Sequence, residues 1–357
     1  MQSTNSRNFS GSQERKSVIS RRKVTSLFAG AVCVLAMTAG QGRAADEVAT
    51  LRVASFMPPQ GFLSSVIVEP YLKMIEEDSQ GTLKVDFFPG GTLGRSPTQQ
   101  LSLVQEGSVD MAVVLPAYTP GAFEAYNVTQ LPGVAATTKQ SSVGAWHAYE
   151  AGLLPEPDGV QVIGLVTTAS NLLHTKTPVG DLAALKGLKI RAAGSIQVNA
   201  VEKLGGAVIG NIAGPEIAEG LSRNLLDGTL MDWIGIKEFR VDRTAKNHTE
   251  ANFGRLLIML PINKAKFDSL PEPAKASILK HGGLAFAEFG GQAFDDAVDE
   301  FRSDYMSKSD NKTLTFSDAD KAVVDAAFEE VVTEWVAEED GRDKVLEAFR
   351  EGAASVQ

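Results

Sequence analysis

Cysteine is nearly absent from this 357-residue chain, whose single Cys33 lies inside an apolar N-terminal run. If that segment is removed on export, no cysteine remains, which excludes disulfides, thiolate metal sites and a cysteine nucleophile. The four histidines, at positions 147, 174, 248 and 281, show no spacing typical of metal ligands. The sequence therefore predicts neither a metal site nor a cofactor.

The short motifs of common enzymes are also missing. There is no G-x-S-x-G nucleophile elbow, no G-x-x-x-x-G-K-[ST] phosphate loop and no H-E-x-x-H zinc motif. The glycine-rich segment 90–94 (GGTLG) lacks the lysine and the spacing of nucleotide-binding loops, and is interpreted as a tight turn. These absences argue against the common classes of enzyme.

The first 44 residues have the pattern of a secretory signal peptide. Basic residues between 15 and 23 precede the apolar run 27–39, and Gly42-Arg43-Ala44 provides small residues before a cleavage site. The apolar run is shorter than the ~20 residues that a membrane-spanning helix needs. Arg21 and Arg22 permit the twin-arginine (Tat) route, although the general secretory (Sec) route is favoured. Cleavage after Ala44 and a periplasmic location are predicted.

The chain is acidic, and becomes more so without its N-terminal segment. Removal of residues 1–44 takes away seven Lys/Arg and one acidic residue, which changes the formal net charge from −10 to −16. Such a chain repels nucleic acids and anionic lipids, so neither is predicted as a partner. The remaining length suggests about two domains.

Apolar runs alternate with helical patterns along the first part of the mature chain. Strands and helices are predicted, in order, at 51–56, 66–75, 83–88, 98–106 and 111–115. This β-α-β-α-β order favours a parallel sheet, in which ligands bind beyond the carboxyl ends of the strands. The first candidates for a site are therefore the loops 56–62, 89–95 and 116–122.

A second α/β unit is predicted to begin near residue 160. Its strands and helices are placed at 160–165, 188–191, 196–204, 207–211 and 215–221, and Asn224 is expected to adopt left-handed backbone after the last of these helices. A strand at 256–261 precedes one long helix at 271–305, interrupted near Gly290-Gly291, and the last 40 residues are helical. Two similar but unequal lobes are predicted, because no internal repeat is found.

Residues 186–191 (KGLKIR) are the most informative stretch. Alternation places Leu188 and Ile190 on one face of a strand and Lys189 and Arg191 on the other. Arg191 then lies at the carboxyl end, where a guanidinium can bind a carboxylate through two parallel charge-assisted hydrogen bonds that lysine cannot reproduce. From the residues alone, a surface or structural arginine is the alternative.

Nearly all of the mature chain resembles the solute receptors of tripartite ATP-independent periplasmic (TRAP) transporters, of the DctP family. The similar segments, in order, are LRVAS (51–55), FPGGTLG (88–94), GSVDMAVV (107–114), TKTPV (175–179), KGLKIR (186–191) and 216–228. The resemblance implies an α/β, two-lobed periplasmic-binding-protein (Venus flytrap) fold with a long helix spanning both lobes. It also implies that Arg191 is the family's carboxylate-binding arginine.

The same resemblance gives the domain organisation and the function. Lobe I is predicted to comprise 45–165 and about 254–305, and lobe II 166–253 with parts of the C-terminal helices 306–357. The predicted function is that of a monomeric, non-enzymatic receptor that captures a small organic carboxylate and delivers it to the small and large membrane subunits of a TRAP permease. The alternatives are a ligand-sensing receptor for a signalling partner and a hydrolase or lyase on the same fold.

Departures from the family pattern bear on the ligand. Ser170-Asn171 stands where receptors for polar acids often carry an arginine, and Met231-Asp232-Trp233 replaces the family's Asn-Pro after Asp-Gly. The predicted ligand-binding residues besides Arg191 are an apolar or aromatic wall of Phe56, Tyr118, Met231 and Trp233, with Asn171 and Asn211 as hydrogen-bond partners. Packing within the core is the alternative for the wall, and bonding to the backbone for the asparagines. An aromatic or apolar monocarboxylate is predicted ahead of a dicarboxylate or a sugar acid.

Overall fold

The computed structural model describes residues 48–119, 121–210, 212–308 and 310–356. The strands in these ranges are β1 (Ala49–Ala54), β2 (Leu83–Phe88), β3 (Met111–Ala112), β4 (Val160–Thr167), β5 (Leu172–Thr175), β6 (Lys189–Arg191), β7 (Ala207–Ile209), β8 (Gly228–Met231), β9 (Asn247–Thr249), β10 (Leu257–Asn263) and β11 (Lys312–Leu314). The helices are α1 (Glu69–Asp78), α2 (Gln100–Gln105), α3 (Thr138–Glu150), α4 (Leu182–Leu185), α5 (Gly194–Lys203), α6 (Gly214–Ser222), α7 (Gly235–Glu238), α8 (Lys264–Ser269), α9 (Glu272–His281), α10 (Gly283–Met306), α11 (Asp318–Ala337) and α12 (Arg342–Ala354). The predicted signal peptide and Asn211 lie outside the described residues.

The first sheet has five strands in the order β2-β1-β3-β10-β4. β1 pairs in parallel with β2 and β3, as the alternation of strands and helices predicts. β10 returns from much later in the chain and runs antiparallel to β3 and β4, so the sheet is mixed. β4, predicted to begin the second α/β unit, belongs to this first sheet, so that prediction is wrong. Local periodicity does not reveal which distant strand completes a sheet.

The second sheet has six strands in the order β11-β9-β5-β8-β6-β7. β6 pairs in parallel with β7 and β8, while β5 runs antiparallel to β8 and β9. Arg191 is the last residue of β6, so its side chain lies at the carboxyl edge of this sheet, where ligands of open α/β sheets bind.

Besides the stretch from β10 to β11 that contains α8, α9 and α10, two shorter chain segments connect the sheets. One runs from β4 to β5 through residues 168–171, and the other from β9 to β10 through residues 250–256. They are hydrogen-bonded to each other: the Asn171 N–H donates to the Gly254 carbonyl (2.9 Å), and the Phe253 N–H donates to the Asn171 carbonyl (3.0 Å). The paired crossing holds the two sheets together through backbone bonds.

The long helix predicted at 271–305 is two helices, α9 and α10. The break lies at Gly282-Gly283, where Gly283 has a φ of 59°, and not at Gly290-Gly291, which lie inside α10. Gly290 allows close packing, because a Cβ there would lie 2.7 Å from a Val166 methyl group. The α10 helix, about 36 Å long at 1.5 Å per residue, extends from Phe286 in the core of the first sheet to Tyr305 in that of the second.

Local signals explain where several helices begin and end. The side chains of Thr137 and Ser317 accept hydrogen bonds from backbone N–H groups in the first turns of α3 and α11. Asn224 has a φ of 59° just after α6, which confirms the left-handed backbone predicted there. The helices α11 and α12 confirm that the C-terminal region is helical.

Candidate functional site

Arg191 is buried at the carboxyl edge of the second sheet, with 1% of its surface exposed. Its Nε donates to the Ile212 carbonyl (2.8 Å), Nη1 to the Leu230 carbonyl (3.4 Å) and Nη2 to the Tyr118 hydroxyl (3.3 Å). None of the carboxylates in the described ranges forms an ion pair with it. Buried arginines are normally paired with an anion, because desolvation of an unpaired charge is costly. The arrangement therefore favours an anionic ligand.

Two other buried arginines show how this chain satisfies a structural guanidinium. Arg342 forms ion pairs with Glu338 and Glu339 on its own chain segment. Arg255 has no ion pair among the described residues, but its two Nη atoms donate to the carbonyls of Ala135 and Ala136 at 2.8 Å each. Neither arginine lines a cavity beside Arg191. Arg191 differs from both because it combines burial, a missing counterion and cavity exposure.

Tyr118, which follows a strand of the first sheet, contacts the guanidinium of Arg191 on the second sheet. It ends the short 3-10 turn Pro116–Tyr118 that follows β3. Its hydroxyl accepts hydrogen bonds from Arg191 Nη2 and from the Gly214 N–H (3.1 Å), which leaves its own proton free to donate. Its ring centroid lies 6.3 Å from that of Phe56 and 5.7 Å from Arg191 Cζ.

Arg191 and Tyr118 lie between two cavities. An outer cleft of about 920 Å³ also contains Arg95 and Glu216, and an inner cavity of about 40 Å³ also contains Asn171 and Met231. The inner cavity is predominantly apolar, with Ile258, Phe294 and similar side chains in its wall. Ligand sites combine such walls with a few polar groups, so the guanidinium is placed to anchor one end of a ligand.

Four of the six predicted partners or wall residues lie within reach of this site. Tyr118, Met231 and Asn171 line the inner cavity together with Arg191, and Phe56 packs behind Tyr118. The Asn171 side chain is 1% exposed, and its Nδ2 also donates to the Gly254 carbonyl (3.4 Å). This is the bond to the backbone that was the alternative for this residue.

Trp233 does not line either cavity, contrary to the position expected for an aromatic wall. It is 3% exposed, with its ring 4.8 Å from the His248 ring and 6.0 Å from the Tyr305 ring. The chain turns directly after β8, because Asp232 Oδ1 accepts hydrogen bonds from the backbone N–H groups of Ile234 and Gly235. This turn sends Asp232 to the cavity side and Trp233 into the core.

Asp232 and Glu238 line the inner cavity and were missed as candidates. Burial raises the pKa of Asp232 to about 6 and that of Glu238 to about 7. Glu238 Oε1 also accepts a hydrogen bond from the Leu63 N–H (3.0 Å), which links α7 to the turn before α1. The available sequence signal was an acid inside the apolar run 230–236, a position that acidic residues rarely occupy without a reason.

Two of the four histidines lie side by side in the second sheet. His174 and His248 are register partners on β5 and β9, with their Nδ1 atoms 2.7 Å apart. Burial, with a smaller contribution from His248, lowers the pKa of His174 to about 3, so this pair belongs to the core beneath Trp233. Within the described ranges, no group of three or more His, Cys, Asp or Glu side chains is arranged to hold a metal ion.

A further large cleft, of about 850 Å³, lies against α11 and the crossing segment near Ala251. Phe316, Phe328 and Val332 contribute its apolar part, and Lys321 is at its edge. Of the described residues that line it, no charged side chain is buried as Arg191 is. The cavities around Arg191 are therefore the better candidate for the ligand site.

Residues 58–339 match the sequence profile of the bacterial extracellular solute-binding protein family 7, also called DctP. The chain belongs to this family. The match confirms the family that the sequence resembles and a function in solute binding, not catalysis. Among the described residues of this family 7 protein, no helix combines the length and the apolar character needed to cross a membrane.

The chain is also similar in sequence to a protein named for transport. The outer membrane transporter protein TsaT of Comamonas testosteroni is 28% identical over 268 residues, which cover 72% of this family 7 chain and 77% of TsaT.

Solved structures confirm the two-lobed α/β fold. A marine metagenome TRAP solute-binding protein (unidentified microbe), specific for aromatic acids and crystallised with 3-hydroxybenzoate, gives a TM-score of 0.81 at 24% identity over 87% of this chain and 99% of that chain. A TRAP solute-binding protein of Rhodoferax ferrireducens, solved with copurified benzoate, gives a TM-score of 0.80 at 24% identity over 86% of this chain and 98% of that chain.

Proposed function

We propose that this family 7 protein is the periplasmic receptor of a TRAP transporter and that it captures a small aromatic monocarboxylate with Arg191. The observation that carries the proposal is the burial of Arg191 beside a cavity without a carboxylate partner among the described residues. A ligand carboxylate supplies the missing charge and accepts two parallel hydrogen bonds from the guanidinium. Tyr118 donates its free hydroxyl proton to the same group.

The apolar character of the inner cavity supports an aromatic or apolar body for the ligand. Met57, Leu115 and Phe294 share this wall with Met231, and planar rings gain from packing against such side chains. The aromatic acids bound by the two solved structures of the same fold agree with this ligand class. Asn171 is proposed as a weaker polar contact.

Ligand entry requires the lobes to separate. The inner cavity of about 40 Å³ is far smaller than ligand sites, which are typically about 300–1,000 Å³. We propose hinge motion at the paired segments 168–171 and 250–256, between lobe I (45–165 with about 254–305) and lobe II (166–253 with part of 306–357). Ligand binding then closes the cleft, and the closed receptor delivers the ligand to the small and large permease subunits. We propose that the receptor is a monomer, that it is exported through the Sec route and that its signal peptide is cleaved after Ala44.

A thermal-shift screen of the mature protein against organic acids tests this proposal. A ligand at 100 times its dissociation constant raises the free energy of unfolding by about 2.7 kcal/mol. We expect aromatic monocarboxylates to give the largest increases in melting temperature. Larger increases with dicarboxylates or sugar acids would contradict the proposed ligand class.

Tyr118→Phe is expected to weaken binding of an aromatic acid about tenfold, or 1.4 kcal/mol. The variant keeps the ring that packs on Phe56, but removes the hydroxyl that contacts Arg191 Nη2 and the Gly214 N–H. Tyr126→Phe is the matched control, because that hydroxyl donates to the Pro155 carbonyl away from the cavities. Calorimetry measures both, and an equal loss in the two variants would argue against the role of Tyr118.

Affinity for benzoate is expected to fall about three- to tenfold as the pH rises from 6 to 8. The pKa values of Asp232 and Glu238 are raised by burial to about 6 and about 7, so both groups lose their protons in this window. Each ionisation adds negative charge beside the bound anion. Calorimetry across the window should show a weaker pH dependence for Asp232→Asn/Glu238→Gln, and an affinity that rises with pH would contradict the account.

A further inference from the structure

One buried and one half-buried carboxyl group share the inner cavity with Arg191. Asp232 is 5% exposed, and Glu238 is partly exposed, and neither forms an ion pair with a described residue. Carboxylates beside the proposed carboxylate anchor are unexpected, because they repel the ligand that Arg191 attracts. Their position calls for a role that offsets this repulsion.

Asp232 has one carboxylate oxygen available to a ligand. Its Oδ1 accepts the backbone N–H groups of Ile234 (2.9 Å) and Gly235 (3.0 Å), which fixes the side chain in the cavity wall. Its Oδ2 accepts no hydrogen bond from a described residue. A carboxylate oxygen of a largely buried side chain gains from a hydrogen-bond donor, so a ligand that brings a donor to this oxygen is favoured over one that does not.

Asp232 and Arg191 mark two separate places in the cavity. The Arg191 guanidinium reaches the Leu230 carbonyl on β8, and Asp232 follows two residues later, about 7 Å further along the strand direction. A small aromatic acid whose carboxylate meets Arg191 therefore points another part of its ring towards Asp232. Met231, between these levels, contributes an apolar side chain to the same cavity.

Asp232 and Glu238 also disfavour ligands that carry a second negative charge. A second carboxylate on the ligand, away from Arg191, faces Asp232 and Glu238, and like charges brought together in a desolvated site are strongly unfavourable. Glu238 is held in place by the Leu63 N–H, so it cannot turn away without losing that hydrogen bond. A neutral donor avoids the repulsion and satisfies Asp232 Oδ2.

We infer that Asp232 is a specificity-determining residue, which accepts a hydrogen bond from a hydroxyl or amino group on the ring of the aromatic acid and, with Glu238, rejects dicarboxylates. The inference rests on the proposed function and narrows it to ring-hydroxylated or ring-aminated monocarboxylates. Arg191 supplies the charge contact common to all aromatic acids, and Asp232 distinguishes among them.

The test compares ligands that differ only in one ring substituent. Calorimetry at pH 7.5 measures wild type with benzoate, with 3- and 4-hydroxybenzoate, and with the 1,3- and 1,4-benzenedicarboxylates. At least one hydroxybenzoate is expected to bind about tenfold or more tighter than benzoate, since a site built to bond a hydroxyl rejects the analogue that lacks it. The dicarboxylates are expected to bind most weakly. This comparison requires no variant.

Asp232→Asn tests the residue itself, because its Oδ1 can still accept the bonds from Ile234 and Gly235 while the other position becomes an NH₂ donor. The hydroxybenzoate preference should shrink to within about threefold and dicarboxylate binding should improve. Asp242→Asn removes the same charge outside the cavity and should leave both unchanged.

Three results would overturn the inference: no wild-type preference for a hydroxybenzoate, a dicarboxylate that binds as well as benzoate, or an equal change for all ligands in Asp232→Asn. Benzoate binding without the preference refutes the role of Asp232 alone. If wild type binds none of these acids, the proposed function is refuted as well.

Discussion

Arg191→Ala is expected to reduce affinity for an aromatic acid by about 30-fold to several thousand-fold. Removal of one partner of a buried, hydrogen-bonded charge pair costs about 2–5 kcal/mol. Among the described residues, the variant removes the only cation that lines the inner cavity, so a ligand carboxylate would be desolvated without a counterion. The protein should remain folded, since the free form then no longer buries an unpaired guanidinium.

Arg191→Lys is expected to recover little of this affinity. An ammonium group lacks the planar pair of donors that matches a carboxylate, and it cannot reach the Ile212 carbonyl and Tyr118 at once. Arg223→Ala is the matched control, because Arg223 is exposed and pairs with Glu219 on α6. Calorimetry on folded protein is decisive: an Arg191→Ala variant that binds within about threefold of wild type, less than 1 kcal/mol, is incompatible with the proposed anchor.

Gly254→Ala is expected to lower the free energy of unfolding by about 3 kcal/mol or more, combining left-handed strain with overpacking. Gly254 has a φ of 78°, and a Cβ there would overlap the backbone carbonyl of Gln130. The obstacle is backbone, which cannot move aside as a flexible side chain does. The Gly254 carbonyl also accepts the Asn171 N–H in the paired crossing between the sheets, so the strain falls on the proposed hinge.

Gly152→Ala separates the two causes. Gly152 has a φ of 74°, but a Cβ there meets no atom within 4 Å, so only the backbone strain of about 1 kcal/mol applies. Differential scanning calorimetry should show a fall in melting temperature of roughly 6 °C or more for Gly254→Ala and a much smaller fall for Gly152→Ala. Equal shifts in the two variants would show that the contact with Gln130 is not as tight as described.

The sequence was most informative where chemistry and periodicity coincide. Arg191 was identifiable because a short apolar alternation ends in a guanidinium, and the resemblance to DctP proteins named the same residue. Its burial without a counterion was not predictable, because it depends on β8 and the Tyr118 turn, which are distant in the chain. The same limit applies to β10, whose place between β3 and β4 depends on pairing with residues 90 or more positions earlier in the chain.

At Asp232 and Trp233, a turn changes the side-chain directions that a continued strand would give. Aromatic residues beside a predicted site are natural candidates for its wall, and an adjacent aspartate is easily taken for a solvated charge. The turn after Met231, fixed by the Asp232 side chain, instead places Asp232 at the cavity and Trp233 in the core. Gly282-Gly283 and Gly290-Gly291 are a similar case, because the same dipeptide breaks a helix at one place and permits close packing at the other.

The central claim is that the buried Arg191 binds the carboxylate of an aromatic ligand. Calorimetry with hydroxybenzoates and their matching hydroxybenzamides tests it most directly. Acid and amide share the ring and the hydroxyl, and differ in the group that meets Arg191. The account predicts one-to-one binding of at least one hydroxybenzoate and a loss of at least about 30-fold, or 2 kcal/mol, for its amide. Binding of acid and amide with equal affinity, or of neither, would contradict it.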